Sequence, residues 1–172
     1  MKNAYPKLNP KTVVIGIGNP ILSDDGLGIK AVNILRSFYA DKRENTGDGS
    51  CVGFMEFTEA STGGINLMEH MAGFQRAIVI DSIVTGRHKA GTVFKFIYPD
   101  IPYTRNTVST HDMDLPAAIE IGRYLGISLP SEIIIFAVEA RDVANFGEVL
   151  TEEVEAAIKS VVSEIQLMLG FR

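Results

Sequence analysis

The chain has 172 residues, the length of one domain rather than several, and enough to bury a core without disulfide or metal staples. Apolar residues make up 46% and charged residues 22%, which excludes disordered, collagen-like and coiled-coil chains. Sixteen Lys+Arg against 21 Asp+Glu leave a net charge of −5, whereas a general nucleic-acid binder shows a basic face; Arg76, Arg87, His88, Lys89 and Lys95 make only a loose cluster. Cys51 is the one cysteine, so no internal disulfide forms. The N-terminal stretch is polar, the apolar run after it is broken by Gly16, Gly18, Asn19 and Pro20, and no run approaches the roughly 18 apolar residues of a membrane-spanning helix. The expectation is a single cytoplasmic domain over residues 1–172, with no nucleic-acid or membrane partner.

Thr12–Ile17 is a β-branched run closed by Gly-Asn-Pro and reads as a buried strand. From Asp24 the apolar period turns helical, through Leu27, Ile29, Ala31, Val32, Ile34, Leu35 and Phe38, with Ser23 or Asp24 as N-cap. A polar loop over 45–50 leads to a second strand at 52–57, a Ser-Thr-Gly-Gly turn, and a short helix over Ile65–Met71. A third strand at 76–80 ends at Asp81, and a turn at 86–91 leads to a fourth at 92–97. The proline-bearing segment 99–109 is loop, and a helix over 113–125 follows, with Pro116 in its first turn and Gly126 as its stop. The last strand covers 132–138. A long amphipathic helix covers 151–169, with Thr151 as N-cap and Glu152 and Glu153 in its first turn.

Strands alternating with helices, and apolar on both sides, predict a three-layer α/β/α domain around an open, mainly parallel sheet of about five strands. The link between 81 and 91 is too short for a crossover helix, so the strand at 92–97 is expected to be the antiparallel one, paired to the third strand.

Ligands of open α/β sheets bind outside the carboxyl ends of the strands. On that rim fall Asp24 and Asp25 after the first strand, Glu59, Ser61 and Thr62 after the second, and Asp81 after the third. Glu139, Arg141 and Asp142 follow the last, and His111 opens the third helical region. Carboxylates with an imidazole and no thiolate suit a divalent ion such as nickel or zinc, with positions left open for substrate or water. On residue type alone Asp25 equally suits helix capping, and His111 equally suits orienting its own helix. The Gly-x-Gly at 16–18 lacks the third glycine of a dinucleotide loop, which position 21 fills with isoleucine. Ser23, Ser61, Ser109 and Thr110 sit in no Gly-x-Ser-x-Gly elbow. His88 reads as solvated, His70 as a surface or interface residue, and Cys51 as a small buried hydrophobe.

The segment Val14-Ile15-Gly16-Ile17-Gly18-Asn19-Pro20-Ile21-Leu22-Ser23-Asp24-Asp25-Gly26-Leu27-Gly28 resembles the opening signature of the nickel–iron hydrogenase maturation endopeptidases. Glu59-Ala60-Ser61-Thr62-Gly63-Gly64 resembles that family's second glycine-rich loop. Ile80-Asp81-Ser82 resembles its third-strand aspartate motif, and Ser109-Thr110-His111-Asp112-Met113 its histidine motif. The resemblance spans about residues 12–170. It implies a phosphorylase/hydrolase-like α/β/α fold. It also implies an endopeptidase that removes the C-terminal extension of the hydrogenase large-subunit precursor once nickel has been inserted. The family's nickel-contacting and catalytic positions correspond to Asp25, Asp81 and His111, and its substrate-binding loop to Glu59, Thr62, Gly63 and Gly64. Glu59 stands where an aspartate is often found. The resemblance further implies nickel supplied by the precursor itself, no organic cofactor, and the precursor as partner; the protein is expected to be a monomer.

Two other readings share parts of this pattern. A non-catalytic nickel-dependent adaptor for the precursor would use the same ligands. A peptidyl-tRNA hydrolase-like esterase also opens with a strand followed by Gly-x-x-Asn-Pro, but it needs a basic face, which the charge balance opposes.

Overall fold

The computed structural model describes residues 10–46, 54–61, 65–100 and 115–171. In chain order these form β1 (Thr12–Ile17), a 3-10 turn (Ser23–Gly26), α1 (Leu27–Thr46), β2 (Met55–Ala60), α2 (Ile65–Met71) and β3 (Arg76–Ile83). β4 (Val93–Ile97), α3 (Leu115–Tyr124), β5 (Glu132–Glu139) and α4 (Glu152–Met168) follow. The described strands make one sheet in the order β2-β1-β3-β5-β4, parallel throughout except for β4. This is the expected three-layer α/β/α arrangement.

Alternation along the strands divides the apolar residues between two cores. Ile78 and Ile80 of β3 and Phe136 of β5 face Leu27 and Ala31 of α1 and Val154 and Ile158 of α4. Ala77 and Val79 face the other way, with Leu67 and Met71 of α2 and Ile119 of α3. β1 is buried along its whole length, which explains why its β-branched run shows no polar alternation. The chain leaves β1 toward β2 and returns on the other side of β1 to form β3. The sheet's direction of growth therefore reverses between β1 and β3, the place where open α/β sheets hold their ligands.

Three expectations are corrected. The antiparallel strand β4 pairs with β5, in register Val93↔Val138 to Ile97↔Ile134, and not with β3. Both edges of β3 are already taken, by β1 and β5, so the short link after β3 passes the end of β5 instead. β3 itself does not stop at Ile80 but continues to Ile83, because β5 keeps pairing with it through Ile83↔Glu139. The second strand is Met55–Ala60 rather than 52–57, with Glu59 inside it, since its register is set by β1 from Thr12↔Met55 to Ile17↔Ala60. Thr151 does stand at the N-cap of α4, but its hydroxyl makes no cap hydrogen bond there.

Among the described residues no helix is long and apolar enough to cross a membrane.

Candidate active site

Two glycines bring the turn after β1 onto the sheet. A Cβ at Gly16 would lie 2.1 Å from the Gly28 carbonyl oxygen, and one at Gly28 would lie 2.2 Å from that of Ile17 and 2.4 Å from that of Ile80. The first turn of α1 thus packs backbone-to-backbone over β1 and β3, an approach only glycine permits. Gly18 serves the same purpose. Its φ of +141° lies in the region that favours glycine, and a Cβ there would strike the Asp25 carbonyl oxygen at 1.8 Å. The Gly-x-Gly of the opening motif is therefore a packing device that sets the height of Asp25 above the sheet.

Asp25 lies in the 3-10 turn at the mouth of the β1–β3 crevice and is 4% exposed. Its Oδ2 accepts the backbone N–H of Asn19 at 2.8 Å, and its Oδ1 accepts the Ser82 hydroxyl at 3.2 Å. Asp81 lies across the crevice on β3. Burial pushes its pKa from the ordinary 3.8 up to about 7, the Ser82 N–H drawing it back down and the negative charge of Asp25 adding to the rise. That backbone N–H donates to Asp81 Oδ1 at 2.8 Å. One acidic group firmly held by donors faces a second that keeps its proton near neutrality, and such a pair is suited to proton transfer or to meeting an incoming cation.

Asp24, next in sequence, has a different task. Fully buried, it accepts the backbone N–H groups of Arg141 (2.9 Å) and Asp142 (3.0 Å) on Oδ2. It also accepts the Thr151 N–H on Oδ1 (2.7 Å) and the Thr151 hydroxyl on Oδ2 (3.0 Å). Rather than capping α1, it clasps the β5–α4 loop and the start of α4. The same loop is sewn to the site turn by Ser23 N–H to Gly147 O at 2.7 Å and by the Ser23 hydroxyl to Val149 O at 3.0 Å. These bonds hold Ser23 at a φ of +46°, a left-handed conformation that costs a non-glycine residue about 1–2 kcal/mol.

The other rim residues are structurally engaged. Glu139, 2% exposed, accepts the N–H groups of Thr85 and Gly86 on Oε1 and the Thr85 hydroxyl on Oε2, anchoring the loop after β3. Arg141 pairs with Glu153 at 2.9 Å, and Asp142 accepts the N–H groups of Ala144 and Asn145 in a local turn. Glu59 is exposed on β2 and pairs with Arg36 of α1 at 3.0 Å. His88 is exposed, its ring edge-on to Phe94.

Of the residues singled out from sequence, Asp25 and Asp81 are brought together. His111, Thr62, Gly63, Gly64 and Cys51 lie outside the described residues. Among the described residues no group of three or more metal-ligating side chains converges. Sequence reasoning missed Asn19 and Ser82 as donors to Asp25. Both stood within the quoted motifs, but nothing in their spacing marks them as partners of one carboxylate.

Residues 43–167 match the family described as HycI, hydrogenase maturation protease. The chain is similar to the Hydrogenase 2 maturation protease of Escherichia coli (strain K12), 24% identical over 157 residues that cover 90% of this chain and 88% of that protein. It is also similar in structure to the hydrogenase maturating endopeptidase HybD from E. coli. There the TM-score is 0.74 at 23% identity, covering 92% of this chain and 91% of that one. The NiFe hydrogenase maturation protease HybD from Thermococcus kodakarensis superposes with a TM-score of 0.66 at 23% identity, covering 92% and 99%. The ordered motifs, the crevice between β1 and β3 and the matched span together place this chain in the hydrogenase maturation protease family.

Proposed function

We propose that the chain is an endopeptidase that removes the C-terminal extension of a nickel–iron hydrogenase large-subunit precursor, and that it acts on precursor already carrying nickel. The observation that carries this reading is that Asp25 and Asp81 meet at the end of the β1–β3 crevice, both bonded to Ser82 and close enough for the charge of Asp25 to raise the Asp81 pKa. A second carboxylate near a desolvated one is costly to keep ionised, and a metal arriving with the substrate would offset that cost only in the complex. Asp25, Asp81 and His111 then act as additional ligands to nickel held by the precursor, so that metal is the mark by which mature precursor is recognised.

The proton inventory fits peptide hydrolysis. A water at the crevice needs a base as it attacks the scissile carbonyl, and the leaving amine needs a proton. Either Asp25 or Asp81, where it is not bound to the ion, serves as general base to that water. A divalent ion in the substrate polarises a nearby carbonyl or acidifies the water. The precursor tail would lie along the rim, with backbone N–H groups of Gly63 and Gly64 as donors to it, and Glu59 and Thr62 as further substrate-binding residues. Exposed Ile21, Phe146 and Val149 give the tail apolar surface on the loops tied to the site turn.

The test is incubation of the purified protein with nickel-loaded and nickel-free precursor, read by mass. Cleavage of the nickel-loaded form alone is expected, and Asp25→Asn and His111→Ala are expected to abolish it while the fold is kept. Full trimming by His111→Ala would refute the ligand assignment. Nickel-dependent binding without loss of mass would establish the adaptor reading instead.

A further inference from the structure

Among the described residues, Ser82 touches both carboxylates. Its backbone N–H donates to Asp81 Oδ1 at 2.8 Å, and its hydroxyl donates to Asp25 Oδ1 at 3.2 Å. It is 3% exposed and held on the sheet by the register Ser82↔Val138 with β5. β1 pairs with β3 only as far as Gly16↔Ile80, so beyond Ile80 the edge of β3 that β1 had covered is open, and the Asp25 turn packs there. Because strand residues alternate in direction, Ser82 shares the face of Ile78 and Ile80, which pack against α1, while Asp81 points to the opposite face. The hydroxyl therefore reaches Asp25 from rigid sheet, whereas the Asn19 N–H, which donates to the other oxygen, comes from the loop before the 3-10 turn.

We infer that Ser82 is a positioning residue: its hydroxyl fixes the carboxylate of Asp25 to β3, and so sets the distance between Asp25 and Asp81 at which the substrate's metal is met. A carboxylate that loses a donor on one oxygen rotates more freely about its own bond, and a site built on a strand is held more tightly than one built on a loop. Groups that orient a metal-contacting side chain without touching the metal typically change affinity or activity by about 10- to 100-fold when removed.

The inference rests on the proposed function for its kinetic test but has a structural test of its own. With nickel-loaded precursor, Ser82→Ala is expected to lower trimming about 10- to 100-fold, with nickel-free precursor binding unchanged and the thermal midpoint kept within a few degrees. Ser82→Thr restores most of the loss and Ser82→Val does not. That pair has one shape and differs in the hydroxyl, so it reads the same quantity should the alanine variant fold poorly. Trimming by Ser82→Ala within about twofold of wild type, or equal losses in the threonine and valine variants, would overturn the assignment. Should the wild-type chain leave nickel-loaded precursor uncut, the proposed function fails by itself. Crystal structures of wild type and Ser82→Ala then decide the point, with Asp25 expected to leave the position shared by Asn19 and Ser82. An Asp25 carboxylate unmoved in Ser82→Ala refutes the inference.

Discussion

Replacing Asp81 with asparagine should make the protein more stable at pH 8. In the folded chain burial holds the Asp81 carboxyl near a pKa of about 7 against an ordinary 3.8. At about 1.4 kcal/mol for each tenfold change in proton affinity, ionised Asp81 costs the fold roughly 4 kcal/mol at most. The sign follows from which state binds the proton. Below pH 4 the carboxyl is neutral in both states and costs nothing. Between about pH 4 and pH 7 the folded chain retains a proton that the unfolded chain has released, so stability falls as pH rises, and above pH 7 the full cost applies. The asparagine side chain keeps an oxygen for the Ser82 N–H but brings an amide that needs a partner of its own, which returns about 1 kcal/mol. The net gain at pH 8 is therefore about 3 kcal/mol, and at pH 4, where only the asparagine's own cost remains, it should vanish or become a loss of up to about 1 kcal/mol. Urea denaturation of wild type and Asp81→Asn at both pH values measures it. The difference between the two proteins cancels the groups that titrate alike in both, Asp142 included, whose pKa is lowered by its bonds to Asn145 and Ala144. A variant no more stable than wild type at pH 8, or a gain equal at both pH values, would refute the reasoning. The same variant should be inactive, a stability–activity trade at one carboxyl.

Asp24→Ala removes the acceptor of the Arg141, Asp142 and Thr151 N–H groups. Each buried donor left unmet costs about 1–3 kcal/mol, so a drop of about 3–5 kcal/mol in the urea-derived stability is expected, with faster hydrogen exchange at those amides. Gly16→Ala drives a Cβ to 2.1 Å from a backbone oxygen, whereas Gly147→Ala meets nothing within 4 Å. The first should cost about 3 kcal/mol or more and the second less than about 1 kcal/mol, read by thermal unfolding. Thr85→Val deletes the hydroxyl that donates to buried Glu139 at 2.7 Å and should cost about 1–3 kcal/mol while leaving trimming intact. A loss of trimming would give the Glu139 anchor a part in the site.

Much of the framework was legible in the chain itself. Thr12–Ile17 announces a buried strand because β-branched residues run up to Gly-Asn-Pro. The helix before Gly170 shows its period over more than four turns, and Asp25 and Asp81 are marked out because strand ends are where open sheets bind. These signals are local, carried by neighbours in sequence. What the tertiary structure decided depends on contacts far apart in the chain. β4 pairs with β5 because β3 has no edge left. Asp24 proved a clasp because its donors lie 117 to 127 residues away. Ser82 reaches Asp25 across 57 residues of sequence, and Asp81 keeps its proton because packing and Asp25 surround it. Sequence patterns record which face of an element is apolar. Which carboxylate is paired, buried or held by a hydroxyl is set only when distant strands close around it, since hydrogen bonds and burial act over a few ångströms of space.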